Sequence, residues 1–351
     1  MSELRDVTDR HRFDVERLHD YLRQHLAGFA GPLTVKQYQG GQSNPTYLLQ
    51  TPTRRYVMRS KPGPAVKLLP SAHAIEREFR VMRALAGHGI PVPEVLLLVE
   101  DESVIGRAFY VMQHVEGRIL WDQALPEMSP AERAAIYDEM NRVIARLHSV
   151  DVAAAGLADF GKAGNYFARQ IARWTKQYQA SATETIAAMD RLIEWLPQHI
   201  PPGDETAIVH GDYRLDNLVF HPQEPRIVAV LDWELSTLGH PLADFSYHCM
   251  SWHIPPGQFR GIAGLDLAAL GIPTETDYIR RYCERTGRRG IEHWDFYLAY
   301  NLFRIAAILQ GVYKRALEGI ASSDNALAAG ARARGLAELG WQAAQRAGAR
   351  G

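Results

Sequence analysis

The sequence contains the segment VHGDYRLDNLVF at residues 209–220, followed by IVAVLDWE at residues 227–234. In the first segment, polar and charged residues stand between apolar ends, with Asp212 and Asn217 five positions apart. In the second segment, Asp232 ends an apolar run that has the composition of a buried strand. Either segment alone is compatible with a polar loop carrying an N-cap aspartate, or with a buried strand-end acid. A buried carboxylate is costly unless it is paired or bound to a metal, and both segments in this order favour a functional site.

Phosphoryl transfer to a hydroxyl requires side chains of these types. One carboxylate accepts the proton of the hydroxyl, while an amide and a second carboxylate hold Mg²⁺ on the nucleotide phosphates. The pattern H-x-D-x-x-x-x-N runs from His210 to Asn217, and a strand-ending acid follows about twenty residues after Asp212, in the order that this chemistry uses.

The chain before this site predicts a β-rich lobe. Apolar residues from Val15 to Leu26 recur at helical spacing and predict a leading helix. Strand-like runs separated by Gly- and Pro-containing breakers predict strands at Thr34–Tyr38, Thr46–Gln50, Arg55–Ser60, Glu94–Glu100 and Ala108–His114. The run Ala72–Ala86 predicts a helix. We therefore expect five strands with one helix inserted after the third.

The chain changes character near Gly117 and becomes mostly helical. Ser129 and Glu132 form a capping box with proline at the first helical position, and an apolar helical face follows them. Further helices are predicted at Tyr166–Tyr178, Ile186–Leu196, Thr276–Thr286 and His293–Glu318, with short β-rich pieces at Ala207–Phe220 and Arg226–Trp233. The predicted class is α+β, with a nucleotide-binding lobe at residues 1–116 and a helical lobe with the catalytic loop and acceptor pocket at 117–351.

HGDYRLDN and VLDWE resemble the aminoglycoside-phosphotransferase-like kinases, which share the protein-kinase fold. Other segments agree with that family in order: GGQSNPTYLL with its hairpin over the nucleotide phosphates, YVMRSKP with its third strand, AIEREFRVMRAL with its helix C, FYVMQHVEG with its hinge and GHPLADFSY with the segment after the metal site. More narrowly, KLLPSAHAIEREFRVMRAL, GNYFARQIARWTKQY and FYLAYNLFRIAAILQGVY resemble the kinase-like domain at the N-terminus of multidomain acyl-CoA dehydrogenases. The resemblance implies an antiparallel β-rich lobe and a larger helical lobe.

The resemblance also implies the catalytic roles and the cofactors, ATP and Mg²⁺. Asp212 would be the catalytic base, and His210 would brace its loop. Asn217 and Asp232 would bind Mg²⁺. Asp244 would order the local backbone as an Asx or N-cap residue. The nucleotide-binding candidates are Gly41, Gln42, Ser43 and Asn44 near the phosphates, where close backbone approach is possible, and Gln113 and Val115 at the hinge.

The third strand departs from the protein-kinase pattern, which has lysine there. This chain offers Arg59, with Lys61 two residues later on the same strand face. We favour Arg59 as the cation that holds the nucleotide phosphates, because Val57-Met58-Arg59 matches the strand pattern and a guanidinium can donate two N–H groups to a phosphate. Arg59 would pair with Glu78 on the helix C segment. Lys61 would share or take this role, or be a solvated loop charge. Arg214 and Asp216 would form either a loop salt bridge or a substrate contact.

The acceptor is less constrained than the nucleotide. On the helix at Ile291–Gly311, Trp294, Tyr297, Asn301 and Arg304 share a face that either lines an acceptor pocket or is an interior hydrogen-bonded face. Arg169, Arg173 and Lys176 share another face, which either steers an anionic acceptor or is solvated. The helical part has no acidic run suited to a polycationic aminoglycoside. The resemblance to the dehydrogenase-linked domain implies a hydroxylated acyl-CoA.

Composition limits the other function classes. The chain has 351 residues, 46% of them hydrophobic, and a formal net charge of -1, which predicts two lobes or domains and no electrostatic footprint for nucleic acid. The two cysteines exclude a disulfide scaffold. The charged N-terminus lacks the apolar region of a signal peptide, and no apolar run is long enough for a bilayer. We expect a cytoplasmic protein that binds no membrane; the oligomeric state stays open.

Two motifs compete with this interpretation. Residues 156–162 fit GxxxxGK, but Ala163 follows and no strand precedes, so a P-loop is not expected. The same stretch contains DFG at 159–161, upstream of the catalytic loop, and is interpreted as a loop.

The five histidines from His210 to His253 lack zinc-ligand spacing. The alternatives that remain are a kinase for another small hydroxylated metabolite and a catalytically silent ATP-binding module; a flavin dehydrogenase is not supported.

Overall fold

The computed structural model describes residues 4–39, 44–63, 74–319 and 326–350. The chain divides into two compact units. The first comprises Met1–Ile119, Ala155–Leu157 and Asn217–Ser236, and the second comprises Leu120–Ala154, Ala158–Asp216 and Thr237–Gly351. The assignment of nucleotide binding to residues 1–116 and acceptor binding to residues 117–351 stays a prediction.

The described residues form the following elements. The strands are β1 (Leu4–Arg5), β2 (Thr34–Tyr38), β3 (Thr46–Gln50), β4 (Arg55–Ser60), β5 (Val95–Val99), β6 (Phe109–Gln113), β7 (Arg118–Ile119), β8 (Ala207–Val209), β9 (Leu218–Phe220), β10 (Ile227–Val230) and β11 (Thr237–Gly239). The helices are α1 (Val15–His25), α2 (Ile75–Leu85), α3 (Pro130–His148), α4 (Tyr166–Ser181), α5 (Ala187–Trp195), α6 (Pro241–Cys249), α7 (Leu267–Leu270), α8 (Glu275–Thr286), α9 (Trp294–Leu317), α10 (Ala326–Gly330) and α11 (Ala333–Arg346).

The first unit is built on an antiparallel sheet with the strand order β1-β2-β3-β4-β6-β5. Its amphipathic helix α1 begins after Asp14, which caps it by accepting a hydrogen bond from the Arg17 backbone N–H at 2.9 Å. The apolar face of α1, with Leu18 and Leu22 fully buried, packs in one core with Tyr47, Leu49 and Met58 of the sheet. The predicted five strands with a helix after the third are confirmed, and β1 is an addition.

A small second sheet in this unit has the order β10-β9-β7. Its strands approach closely at Gly117, where an added Cβ would lie 2.3 Å from the Phe220 carbonyl oxygen, so a side chain does not fit. The sheet carries Asn217 immediately before β9 and Asp232 two residues after β10.

The second unit is mostly helical, with β8 and β11 paired antiparallel. The predicted capping box begins α3, because Ser129 and Glu132 cap each other's backbone. The α9 helix is buried along most of its length from Phe296 to Gly311. The α6 helix was not predicted, since all nine of its residues are buried and no amphipathic pattern marks it. Residues 156–162 include turns and bends and neither helix nor strand, as expected for a loop.

None of the helices in the described part of the chain combines the length and the apolar character that crossing a bilayer requires.

Candidate functional site

In the first unit, Arg59 on β4 lies among three carboxylates. Its Nε is 3.1 Å from Glu78 Oε2, and its Nη2 is 3.0 Å from Asp232 Oδ1 and 3.3 Å from Glu234 Oε2. The Arg59 side chain is 13% exposed and that of Glu78 only 2%. Burial acts to lower the pKa of Arg59, but Glu78 and Asp232 outweigh it and hold the pKa above its usual value. The guanidinium therefore stays charged.

Glu78 is held in place by neutral donors as well. The Tyr110 hydroxyl donates to its Oε2 at 3.0 Å, and the Asn44 side-chain amide donates to its Oε1 at 2.9 Å. Tyr110 stands opposite Arg59 in the β4–β6 register, so one strand pair supplies two of the groups around the carboxylate. Burial raises the pKa of Glu78, and Arg59 and these donors oppose that rise.

The structure distinguishes Arg59 from Lys61. Lys61 Nζ lies 3.3 Å from Glu76 Oε2, and both side chains are partly exposed, at 28% and 40%. The buried pair with Glu78 is made by Arg59, because Arg59 is inside the strand and Lys61 follows its end.

Asn217 and Asp232 are connected through the small sheet. The Leu231 backbone N–H donates to the Asn217 carbonyl oxygen at 2.8 Å, which links the residue before Asp232 to Asn217. Asp232 itself has left-handed backbone angles, φ 64° and ψ 60°, a region that aspartate tolerates better than most residues. The predicted pair of an amide and a strand-end carboxylate is thus present within one unit.

This donor set fits Mg²⁺ on a nucleotide. Mg²⁺ prefers oxygen ligands and commonly uses one or two protein carboxylates, with phosphate oxygens and water completing the octahedron. Asp232 and Asn217 supply side-chain oxygens of this kind. The three carboxylates around Arg59 also leave an excess of negative charge that a divalent cation would offset. No group of three His, Cys, Asp or Glu side chains suited to a metal occurs among the described residues.

In the second unit, the backbone of the predicted catalytic loop is anchored by Asp244. Asp244 Oδ2 accepts from the His210 backbone N–H at 2.7 Å, and its Oδ1 accepts from the Gly211 N–H at 2.8 Å. His148 Nε2 lies 3.2 Å from the same carboxylate. Burial acts to raise the pKa of Asp244, but the His148 contact and the loop N–H groups outweigh it, and the pKa is lowered.

Asp244 was expected to order backbone near it in the sequence, as an Asx or N-cap residue, and that location is wrong. Asp244 does order backbone, but that of a loop more than thirty residues earlier in the chain, and the N-cap of α6 is His240. Gly211 has φ 82°, a left-handed conformation that glycine adopts without steric cost, so both successive N–H groups can reach one carboxylate. The buried His210 ring accepts the Asp212 N–H through Nδ1 at 3.2 Å, which fits the predicted bracing role.

Both carboxylate oxygens of Asp212 have partners in the second unit. The Tyr247 hydroxyl donates to Oδ1 at 2.6 Å, and Arg214 Nε lies 3.1 Å from Oδ2. Arg304 donates to the Gly211 carbonyl oxygen at 2.6 Å and lies over the Tyr247 ring at 5.0 Å. Burial raises the pKa of Tyr247, so its hydroxyl stays protonated and remains a donor.

Tyr247 was missed as a site residue by sequence reasoning. It ends the segment GHPLADFSY, but nothing in its spacing connects it with Asp212, thirty-five residues earlier. Arg214 and Asp216 form the loop ion pair that was one of their two alternatives, with Arg214 Nε 3.6 Å from Asp216 Oδ1.

On the α9 face that carries the acceptor candidates, Tyr297, Asn301 and Arg304 are buried and Trp294 is partly exposed. The Asn301 side chain is fully buried and donates to the Ala243 carbonyl oxygen at 2.9 Å and to Ser246 Oγ at 2.7 Å. Tyr297 is 5% exposed and Arg304 is 7% exposed. For Asn301 the structure favours the interior hydrogen-bonded alternative, because its amide N–H groups are used within the fold. Contact of Tyr297 or Arg304 with an acceptor stays a prediction.

The remaining nucleotide candidates differ in position. Gly41, Gln42 and Ser43 lie outside the described residues. Asn44 is buried against Glu78. Gln113 ends β6 with its backbone N–H donating to the Glu94 carbonyl oxygen at 2.8 Å, and Val115 is partly exposed just beyond it.

Comparison with known proteins gives concordant matches. The sequence profile of the phosphotransferase enzyme family matches residues 34–294. A crystal structure of a Ralstonia eutropha protein assigned to the aminoglycoside phosphotransferases has 65% identity and a TM-score of 0.88, covering 95% of this chain and 99% of that chain. A thermostable mutant of the aminoglycoside phosphotransferase APH(4)-Ia, in a ternary complex with AMP-PNP and hygromycin B, has 18% identity and a TM-score of 0.59, covering 92% and 98%. The predicted kinase-like α+β fold is confirmed.

The curated relatives are longer than this chain. Mouse acyl-CoA dehydrogenase family member 10 is 50% identical over 338 residues, which cover 94% of this chain and 31% of that protein. Human acyl-CoA dehydrogenase family member 11 is 45% identical over 351 residues, which cover 98% of this chain and 45% of that protein. The chain therefore spans less than half the length of these relatives.

Proposed function

Since the chain belongs to the phosphotransferase enzyme family, we propose that it transfers the γ-phosphoryl group of ATP to a hydroxyl of a small molecule. The observation that carries this proposal is the largely buried side chain of Arg59, held between Glu78 on α2 and Asp232 after β10. A largely buried cation oriented by a helix carboxylate and placed beside a candidate metal ligand is an arrangement suited to phosphoryl transfer.

In this proposal the first unit binds the nucleotide. Arg59 supplies a planar fork of N–H donors to phosphate oxygens, and Glu78 keeps that fork in one orientation. Asn217 and Asp232 hold Mg²⁺, with Gly41, Gln42, Ser43 and Asn44 near the phosphates and Gln113 and Val115 at the base. Mg²⁺ would neutralise charge on the phosphates.

The second unit supplies the base. Asp212 accepts the proton of the acceptor hydroxyl as the oxygen attacks the γ-phosphorus and the bond to the β-phosphate oxygen breaks. Tyr247 and Arg214 hold the carboxylate in one rotamer, and Asp244 holds the loop that carries it. Precise placement is a main source of rate in this reaction, because little covalent chemistry is required of the protein.

For the acceptor we propose a hydroxyacyl-CoA. The support is the similarity over almost the whole chain to part of two acyl-CoA dehydrogenase family members. Phosphorylation turns a hydroxyl into a better leaving group, which suits a later elimination. Another small hydroxylated metabolite is the alternative, and dehydrogenase activity is not proposed for this chain.

The test is a transfer assay with Mg-ATP and a panel of hydroxyacyl-CoA thioesters, free hydroxy acids, choline and hygromycin B. Mass spectrometry detects the gain of one phosphate on an acceptor. We expect a phosphorylated thioester with the wild type and none with Asp212→Asn, with both proteins binding Mg-ATP and melting at similar temperatures. Transfer only to another acceptor would refute the thioester assignment. Binding of Mg-ATP without transfer to any acceptor would favour a silent ATP-binding module.

A further inference from the structure

The second unit contains a cleft of about 310 Å³ that the roles above do not use. It is lined by Trp121, Phe259, Arg260, Leu309, Ala329 and Arg332. Four of these six side chains are apolar and two are cationic. No acidic side chain of the described residues lines it. A cleft with this lining repels cations and offers both hydrogen-bond donors and apolar contact to an anion.

Trp121 is the aromatic wall of the cleft. Its side chain is 59% exposed, which is the highest value among the large hydrophobic residues that the structure describes. Tryptophan exposes a large apolar face at a cost in water, and such residues recur where a ligand or partner is bound. Leu309 adds an aliphatic surface from α9.

Arg260 is the oriented cation of the cleft. Its Nη2 donates to Asp216 Oδ2 at 2.8 Å, and its guanidinium lies 4.9 Å from the centroid of the Phe259 ring. Its backbone has φ 48°, in the left-handed region that residues with a Cβ rarely adopt. One terminal nitrogen is bound to Asp216, and a guanidinium carries five N–H donors, so further donors are available to a ligand.

A chain of ion pairs runs from the cleft to the predicted base within the same unit. Arg260 pairs with Asp216, Asp216 lies 3.6 Å from Arg214, and Arg214 lies 3.1 Å from Asp212. The wall of the cleft at Phe259 and Arg260 also lines a smaller cavity, whose other side is formed by Tyr247 and Arg214. The cleft is therefore adjacent to the groups that hold Asp212.

We propose that this cleft binds the anionic end of the acceptor, so that Trp121, Arg260 and Arg332 select an amphiphilic organic anion. This inference rests on the proposed function for its role in catalysis. Arg260 and Arg332 would contact a phosphate or carboxylate, and Trp121 and Leu309 would contact the apolar part beside it. A polycationic acceptor is excluded from this cleft, because it would face two guanidinium groups without a carboxylate.

Binding is tested with the full chain and octyl phosphate as the probe, by calorimetry with and without saturating Mg-AMP-PNP. The nucleotide separates binding in the cleft from binding at a nucleotide phosphate site. Two comparison ligands are used. Octylammonium keeps the apolar part but lacks the negative charge, and inorganic phosphate keeps the negative charge but lacks the apolar part. We expect octyl phosphate to bind in both conditions, inorganic phosphate at least about tenfold more weakly and octylammonium not at all.

The variants are Arg332→Gln, Trp121→Ala and, as a matched control, Arg226→Gln, which removes an exposed arginine paired with Glu224 in the first unit. Loss of a hydrogen bond to a charged group predicts that Arg332→Gln weakens octyl phosphate binding by about tenfold or more. Trp121→Ala should weaken it as well, and Arg226→Gln should not. Wild-type affinity in both Arg332→Gln and Trp121→Ala, or equal binding of octylammonium, would overturn the proposal.

Kinetics separate this proposal from the proposed function. With an acceptor that the transfer assay identifies, Arg332→Gln should raise the KM for the acceptor and leave kcat and the KM for ATP close to wild type. Transfer with an unchanged acceptor KM and unchanged octyl phosphate binding in Arg332→Gln would overturn the cleft assignment and leave the kinase. Binding that depends on Arg332 without any transfer would refute the kinase and retain the anion site.

Discussion

Arg59→Met tests whether the buried ion pair on β4 organises the first unit. The substitution keeps an unbranched side chain and removes the guanidinium. Glu78, whose side chain is 2% exposed, then stays buried without its cationic partner, while Asp232 and Glu234 are 29% and 26% exposed and can be hydrated. Removing one partner of a buried pair costs about 3–5 kcal/mol, because an uncompensated charge remains.

The double variant Arg59→Met/Glu78→Gln gives the sharper result. Glutamine at position 78 can still accept a hydrogen bond from Tyr110 and leaves no unpaired charge buried. The destabilisations caused by the two substitutions should therefore not be additive. We expect the double variant to recover about 1–3 kcal/mol relative to the sum of the single variants. It should remain inactive in phosphoryl transfer, because the guanidinium that we propose binds the phosphates is absent.

The pH dependence has a defined sign. Burial raises the pKa of Glu78 above its usual value of 4.5, and Arg59 opposes that rise. In the Arg59→Met variant, the pKa of Glu78 in the folded state lies still further above its value in the unfolded state. The variant therefore keeps its stability at low pH and loses stability as the pH rises. The destabilisation by Arg59→Met should therefore be smaller near about pH 5 than near about pH 8.

The assay is urea denaturation followed by circular dichroism at both pH values, with Lys61→Met as the control. Lys61 pairs with Glu76 at a partly exposed site, so its loss should cost less than about 1 kcal/mol. Equal losses for Arg59→Met and Lys61→Met, or a penalty independent of pH, would refute the reasoning. Strict additivity in the double variant would refute it as well.

Three further predictions concern the predicted catalytic loop and the proposed metal ligands. Tyr247→Phe removes a hydrogen bond to the carboxylate of Asp212, so kcat should fall by about tenfold or more with the KM for ATP unchanged in steady-state kinetics; an unchanged kcat would show that Tyr247 does not position the base. Asp244→Asn should destabilise the fold near neutral pH. The lowered pKa of Asp244 means that its carboxylate stabilises the folded protein at pH values above the usual pKa of 3.8, and that this stabilisation is lost as the pH falls through the folded-state pKa. Acid unfolding curves of variant and wild type should therefore converge at low pH, and parallel curves would contradict this. Asp232→Asn should raise the Mg²⁺ concentration for half-maximal transfer by more than about tenfold, and an unchanged Mg²⁺ titration would remove Asp232 from the metal site.

The sequence predicted the elements whose pattern is local. Strand-like runs bounded by turn residues predicted β2 to β6, and helical periodicity predicted α1 and α3, the latter with its capping box. The α6 helix was missed because burial on all sides leaves no amphipathic signal. Asp244 lies on this helix; it was expected to order nearby backbone, and its contact with His210 and Gly211 was not predicted.

The order and spacing of the candidate catalytic and metal-binding groups follow from the sequence alone. His210, Asp212, Asn217 and Asp232 lie within one short stretch, where spacing is set by the chain and can be read directly. The side chains that pair with these groups could be identified only from the three-dimensional structure. Arg59 and Asp232 are 173 positions apart, and Tyr247 and Asp212 are 35 apart. Such pairs depend on how sheets and helices pack, and residues distant in the chain meet only where burial of the surrounding apolar surface brings their elements together.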